Sequence, residues 1–311
     1  MNYGKKLKFG DTIGLIAPAG AMRTEGAIER AVAETERMGF KVKLGESAGK
    51  KYGYLSGSDD IRARDINAMF ADDDVNAIFC IRGGYGAMRI LDQLDYDIIA
   101  THPKIFAGFS DITALHIALL NRCSLATFHA PMPVGWWNKP LDDFSRESLY
   151  QTLMNAEPVG DIINPPEYAR QPVTPGQAEG LLVGGNLTLI AHSLGTPWEI
   201  DTKGRILFIE EVGERTYSVD RMLTHLRLAG KFDDCAGIVF GDFADCQIEY
   251  PEFGLTLEEI IRDVVVPCGK PIFTGLRCGH CTPNLTLPLG VKCRMNADEC
   301  TLTVLESAVK E

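Results

Sequence analysis

No stretch of the 311 residues approaches the roughly 18–20 consecutive apolar positions that a bilayer-spanning helix requires. Positive charge is also short: Lys+Arg number 31 against 42 Asp+Glu, and the resulting −11 disfavours general binding to nucleic acid or to an anionic membrane. An anionic substrate would therefore need arginines placed locally. The low hydrophobicity and high charge of a disordered chain are missing, since 45% of residues are hydrophobic and 23% charged. No Walker A sequence is present. Cysteines number nine, an odd count in a chain large enough to fold without staples. Most sit in apolar surroundings, such as Cys80 in AIFCIR and Cys235 in DDCAGIVF, so reduced thiols and a cytoplasmic location are expected. The opening MNYGKKLKFGDTIGLIAPAGA has the outline of a signal peptide, but Asp11 interrupts it. Its apolar run from Ile13 to Ala17 is shorter than an h-region of about 7–15 residues, so a first buried strand is expected instead.

What is present reads as α/β. At roughly 100–200 residues per domain, the length suggests two domains. In the first half, short apolar or β-branched runs alternate with segments of helical period: strand-like Thr12–Ala17, Lys41–Leu44, Ala77–Ile81 and Ile105–Gly108, and helices capped by Thr24 and Ser58, around Met88–Leu94, and over Ile112–Arg122. A mainly parallel sheet flanked by helices fits this pattern. Pro165, Pro166, Pro172 and Pro175 cannot share one regular element, which places a linker at 157–176 between a domain over 1–156 and another over 177–311. The second domain reads as α/β with a β-rich end, closing on a hairpin of Cys293–Met295 with Thr301–Leu305.

Four segments can carry chemistry. In KIFAGFSDITALHIALLNRC, Ser110 sits where a strand ends and a helix begins, so its hydroxyl would be exposed beside free N–H groups and positive potential. A plain N-cap role for Ser110 or Asp111 is the competing reading, and Ile112 breaks the Gly-x-Ser-x-Gly pattern there. The turn RGGYG at 82–86 lets backbone amides approach a ligand, or is simply a turn; Arg89 stands where a dinucleotide fingerprint needs its last glycine. RILFIEEVGE ends a strand in Glu210 and Glu211, either of which could orient a histidine or be solvated. In RCGHCTPNLTLPLG, His280 lies between Cys278 and Cys281. A dithiol redox motif conflicts with Pro283, and a zinc site would want a second close ligand pair where Cys293 and Cys300 look like strand positions, so a loop base or a structural histidine stands ahead of zinc.

Together GFSD, RGGYG, GGN at 184–186, IEEVGE at 209–214 and GHCTPNLTLPLG at 279–290 resemble the LD-carboxypeptidase family, which also includes the microcin C self-immunity proteins. The resemblance spans nearly the whole chain. It implies a Ser–His–Glu triad of Ser110 as nucleophile, His280 as base and then acid, and Glu210 as orienting carboxylate, lying at the domain interface. Glu211, on the opposite face of the strand, should matter much less. The resemblance further implies an oxyanion hole from the backbone N–H groups of Gly84 and Asp111. Arg82 and Asn186 are the expected substrate contacts. The implied reaction is hydrolysis of an L,D amide bond through an acyl-enzyme, releasing D-alanine from murein tetrapeptide, with no metal or organic cofactor. The alternative within the family is hydrolysis of peptidyl or aminoacyl nucleotides. Trp136 and Trp137 could stack on a base or form a hydrophobic flap. A homodimer is the expected assembly, and a non-catalytic binding module the alternative from another class.

Overall fold

The protein, here as a computed structural model, is described over residues 1–133, 140–248 and 252–311; Trp136 and Trp137 lie outside them. Two compact units are formed, one of Met1–Glu157 with Thr286–Gly290 and Ser307–Glu311, the other of Pro158–Leu285 with Val291–Glu306.

The first unit is built on β1 (Thr12–Ile16), β2 (Lys41–Leu44), β3 (Ala77–Cys80), β4 (Ile105–Gly108) and β5 (Thr127–His129). All five pair in parallel, in the order β5-β4-β3-β1-β2. The runs AIFC and IFAG of the central strands are buried throughout, as a sheet covered on both faces demands. Strand order reverses at β1, which has β2 on one side and β3 on the other, so the chain leaves β1 and β3 in diverging directions. A crevice at the carboxyl ends of such strands is the usual ligand position in an open parallel sheet. Ser58 caps the helix Asp59–Ala71 as expected, accepting from the N–H of Ile61. Thr24 does not cap its helix, because Gly26 takes the N-cap position at φ 71° and the helix starts at Ala27. The segment expected as a helix around Met88–Leu94 is a tighter 3₁₀ helix, Ala87–Gln93.

The second unit holds an eight-stranded sheet of β6 (Gly160–Asp161), β7 (Gln171–Thr174), β8 (Gln177–Asn186), β9 (Ile206–Val212), β10 (Gly237–Ala244), β11 (Ile272–Thr274), β13 (Lys292–Asn296) and β14 (Thr301–Val304). Its order is β6-β14-β13-β8-β9-β10-β11-β7. The central β8 to β11 are parallel, and β13 with β14 forms the hairpin read from the sequence. The stretch 157–176 is thus more than a connection, since it supplies β6 and β7. Pro172 is tolerated in β7 because that strand is at the sheet edge. The remaining strand, β12 (Leu287–Leu289), pairs antiparallel with β5 and so belongs to the first sheet. Phe208, Phe240 and Phe273, one on each of β9, β10 and β11, are fully buried and fix the core from which the loops at the carboxyl ends project.

Candidate active site

In the first unit, β4 ends at Gly108 and the chain turns through a 3₁₀ segment, Ser110–Ile112, into the helix Thr113–Cys123. Ser110 has φ 66°, a left-handed conformation that a residue with a side chain rarely holds without compensation. No side chain caps either helical start, which removes the plain N-cap reading of Ser110 and Asp111. The Asp111 carboxylate is buried and accepts instead from the N–H of Ala87 at 2.8 Å, tying the serine turn to the end of RGGYG. Burial pushes its pKa above the usual carboxylate range. A Cβ on Gly83 would stand 2.8 Å from the Cβ of Ser110 and 3.1 Å from its Oγ, so glycine is what allows the two turns to touch. Gly84 is exposed at φ 109°, and Asp111 lies in a first helical turn, where N–H groups have no intrahelical partner. Ser47, within the Gly-x-Ser-x-Gly of GESAG, is by contrast fully buried and accepts from the N–H of Ala17.

In the second unit, Glu210 near the end of β9 is wholly buried, and its Oε2 lies 2.7 Å from His280 Nδ1. A carboxylate oxygen accepts, so Nδ1 carries the proton and Nε2 is left as the basic nitrogen. Gly279, at φ 133°, makes this approach possible: a Cβ there would sit 2.9 Å from Glu210 Oε2. Glu211 points away and is also buried. It accepts from Asn186 Nδ2 at 2.9 Å, from the N–H and Oγ1 of Thr188 at 2.7 and 2.8 Å, and from its own neighbour Val212. Asn186, expected to contact substrate, is buried at the N-cap of the helix Leu187–Ser193 and buttresses Glu211.

Matches to known proteins cover both units. A profile of the LD-carboxypeptidase N-terminal domain fits residues 13–130, and one of the LD-carboxypeptidase C-terminal domain fits 179–295. The chain belongs to the LD-carboxypeptidase family. Among curated relatives, a probable murein peptide carboxypeptidase of Bacillus subtilis is 41% identical over 100% of this chain and 97% of its own length. Among solved structures, MccF in complex with glutamyl sulfamoyl guanosine is 26% identical with a TM-score of 0.91, covering 100% of both chains. The muramoyltetrapeptide carboxypeptidase of Oxalobacter formigenes is 28% identical with a TM-score of 0.82, covering 94% of this chain and 97% of its own.

Several supports of this LD-carboxypeptidase site escaped the sequence reading. Arg277 donates to Asp242 on β10 at 2.7 Å and to the Thr282 carbonyl at 2.8 Å, with its guanidinium 4.0 Å from the Tyr168 ring centroid, and so clamps the loop that carries His280. Asn284 accepts from the N–H of Gly279 at 3.1 Å. Cys278 is fully buried and donates to the Leu285 carbonyl at 3.3 Å. Burial raises its pKa well above a normal thiol and pushes that of Cys281 up to about 12, so both are thiols that pack the loop, neither poised as a thiolate nucleophile. Among the described residues, no group of three or more His, Cys, Asp and Glu is arranged to hold a metal. Arg62, fully buried, donates to the carbonyls of Pro18 and Gly86 and pairs with Asp59, holding RGGYG from behind.

His116, behind the serine turn, has Nε2 2.9 Å from the Gly108 carbonyl and is wholly buried, which lowers its pKa from 6.5 to about 3. It stays neutral in the fold while the unfolded chain takes up a proton below about 6.5. Its stabilising contribution is present above that pH and is lost as pH falls toward 3, at up to about 1.4 kcal/mol per unit. Denaturant titrations between pH 7.5 and 5 are expected to show a stability slope that His116→Gln flattens. An unchanged slope in the variant would assign the pH dependence to other groups.

Proposed function

We propose that this enzyme is a serine LD-carboxypeptidase that releases terminal D-alanine from murein tetrapeptide, with Ser110 of the first unit working with the His280–Glu210 pair of the second. The pairing of a buried Glu210 with His280 Nδ1 at 2.7 Å carries the reading, because it presents Nε2 as a base and stabilises the imidazolium that forms. Ser110 Oγ attacks the carbonyl carbon of the L,D amide as its proton passes to His280 Nε2. The N–H groups of Gly84 and Asp111 receive the oxyanion. His280 then protonates the leaving nitrogen, D-alanine departs, and water hydrolyses the acyl-enzyme by the same proton path. The 41% identity to a probable murein peptide carboxypeptidase over the full chain supports a murein peptide over a nucleotide conjugate. The likeness to MccF keeps an aminoacyl nucleotide as the second reading. None of the nine cysteines is joined in a disulfide, which supports a reducing, cytoplasmic setting. Incubation with murein tetrapeptide and with an aminoacyl sulfamoyl adenylate tests the assignment. The tetrapeptide should release D-alanine with a kcat/KM at least about 100-fold higher than the conjugate, and the reverse ranking would overturn it.

A further inference from the structure

The first unit contains a cleft of about 450 Å³ lined by Gly20, Arg23, Tyr54, Arg82, Gly84 and Tyr85. It lies where strand order reverses, between the segment that follows β1 and the turn that follows β3. Those two segments are joined by a bond from the N–H of Gly20 to the carbonyl of Gly83 at 3.0 Å, and the N–H of Ala21 donates to Tyr54 O at 2.9 Å. Arg82 is half-buried and donates to the Ala21 carbonyl, which aims its guanidinium along the cleft. Neither Arg82 nor Arg23 pairs with an acidic side chain among the described residues, although the chain carries 42 Asp+Glu. Arg62 and Arg89 nearby are both bound to Asp59. Burial and the repulsion of Arg23 press the Arg82 pKa below its ordinary value, as expected of a cation kept without a counter-ion. Tyr54 and Tyr85 stand at the exposed rim with ring centroids 5.5 Å apart.

Two arginines held unpaired in a strongly acidic protein suit an anion supplied by the ligand. Its position follows from Gly83, which separates Arg82 from Gly84 and has its Cα against Ser110. In a peptide cut at its last bond, the terminal carboxylate carbon lies within about 4 Å of the carbonyl carbon under attack. We propose that this cleft is the subsite for the free carboxylate of the residue being released, with Arg82 as its principal ligand and Arg23 as a second cation at the mouth. The proposal rests on Ser110 being the nucleophile. It makes the cleft the reason that only a chain-terminal residue is removed: an internal peptide bond brings no charge to Arg82 and leaves that half-buried guanidinium without a counter-ion.

Calorimetric titration of Ser110→Ala with the tetrapeptide L-Ala-γ-D-Glu-L-Lys-D-Ala and with its C-terminal amide measures the subsite without turnover. The free acid should bind about 10–100-fold more tightly than the amide. Adding Arg82→Gln should remove that preference by weakening the acid alone, Arg23→Gln should reduce it, and Arg82→Lys should retain part of it. Thermal melting checks that each variant is folded. Equal binding of acid and amide, no binding of either, or an Arg82→Gln loss that falls on both alike would overturn the subsite. D-alanine release by the wild-type enzyme reads the hydrolase assignment separately. A protein that prefers the acid yet liberates no D-alanine keeps the subsite and loses the proposed reaction. One that cleaves acid and amide with equal kcat/KM keeps the reaction and loses the subsite.

Discussion

Ser110→Ala is expected to lower kcat by about 10⁴–10⁶ while leaving the protein folded, because removal of a triad nucleophile leaves only binding and oxyanion stabilisation to act on bound water. Gly83 packs against this serine, with the Cβ of Ser110 2.8 Å from where a Gly83 Cβ would stand. The backbone gives a second, independent expectation. At φ 66° a serine occupies a conformation that costs it on the order of 1 kcal/mol and that glycine adopts freely. Ser110→Gly should therefore be as inactive as Ser110→Ala and yet melt at a higher temperature than either Ser110→Ala or the wild type. Activity assays and melting curves on the three proteins check both expectations. A Ser110→Ala enzyme retaining a tenth of wild-type activity would remove Ser110 from the nucleophile role. A Ser110→Gly melting point below that of Ser110→Ala would mean that the turn is held by the serine side chain, not in spite of it.

Much of this arrangement was legible before any coordinates. Short continuous apolar runs such as AIFC and IFAG fit strands covered on both faces, and the turns that follow them are where a parallel sheet presents its ligand groups. Three of the five spaced motifs contain the proposed triad residues, and two of these place the side chain on or beside an unusual backbone, Ser110 at φ 66° and His280 next to Gly279 at φ 133°. Arg62, Asp242 and Glu211 were not legible for a common physical reason. A charged residue in a helix or past a strand is by default solvated, and what holds these three, Arg62 and Glu211 buried and Asp242 half-buried, is a partner far away in sequence: the carbonyls of Pro18 and Gly86, the start of the helix Leu187–Ser193, and the guanidinium of Arg277. β12 was hidden likewise, since Leu287–Leu289 reads as the tail of a proline-rich loop until β5 is placed beside it. Thr24 misled because the N-cap rule assumes an extended cap residue, whereas a glycine at φ 71° opens the helix at Gly26.

The adjacent glutamates should separate catalysis from scaffolding. Glu210→Gln keeps the shape of the side chain but places a neutral amide beside His280 Nδ1, removing the charge that stabilises the imidazolium and allowing the opposite tautomer, with the proton on Nε2. The corresponding change in the serine-protease template costs about 10⁴ in kcat, and a loss of that order is expected here with little change in KM. Glu211→Gln acts elsewhere. The Glu211 carboxylate accepts from Asn186, from both donors of Thr188 and from the N–H of Val212, and an amide at that position would set its own N–H₂ against at least one of these donors. Each buried mismatch costs roughly 1–3 kcal/mol, so Glu211→Gln should unfold at lower denaturant while turnover per folded molecule stays within a few-fold of wild type. Measuring kcat and denaturant midpoints for both variants at one pH decides the assignment. If Glu211→Gln lost more kcat than Glu210→Gln, with both proteins folded, the orienting carboxylate would be Glu211, and the 2.7 Å contact between Glu210 and His280 would be structural.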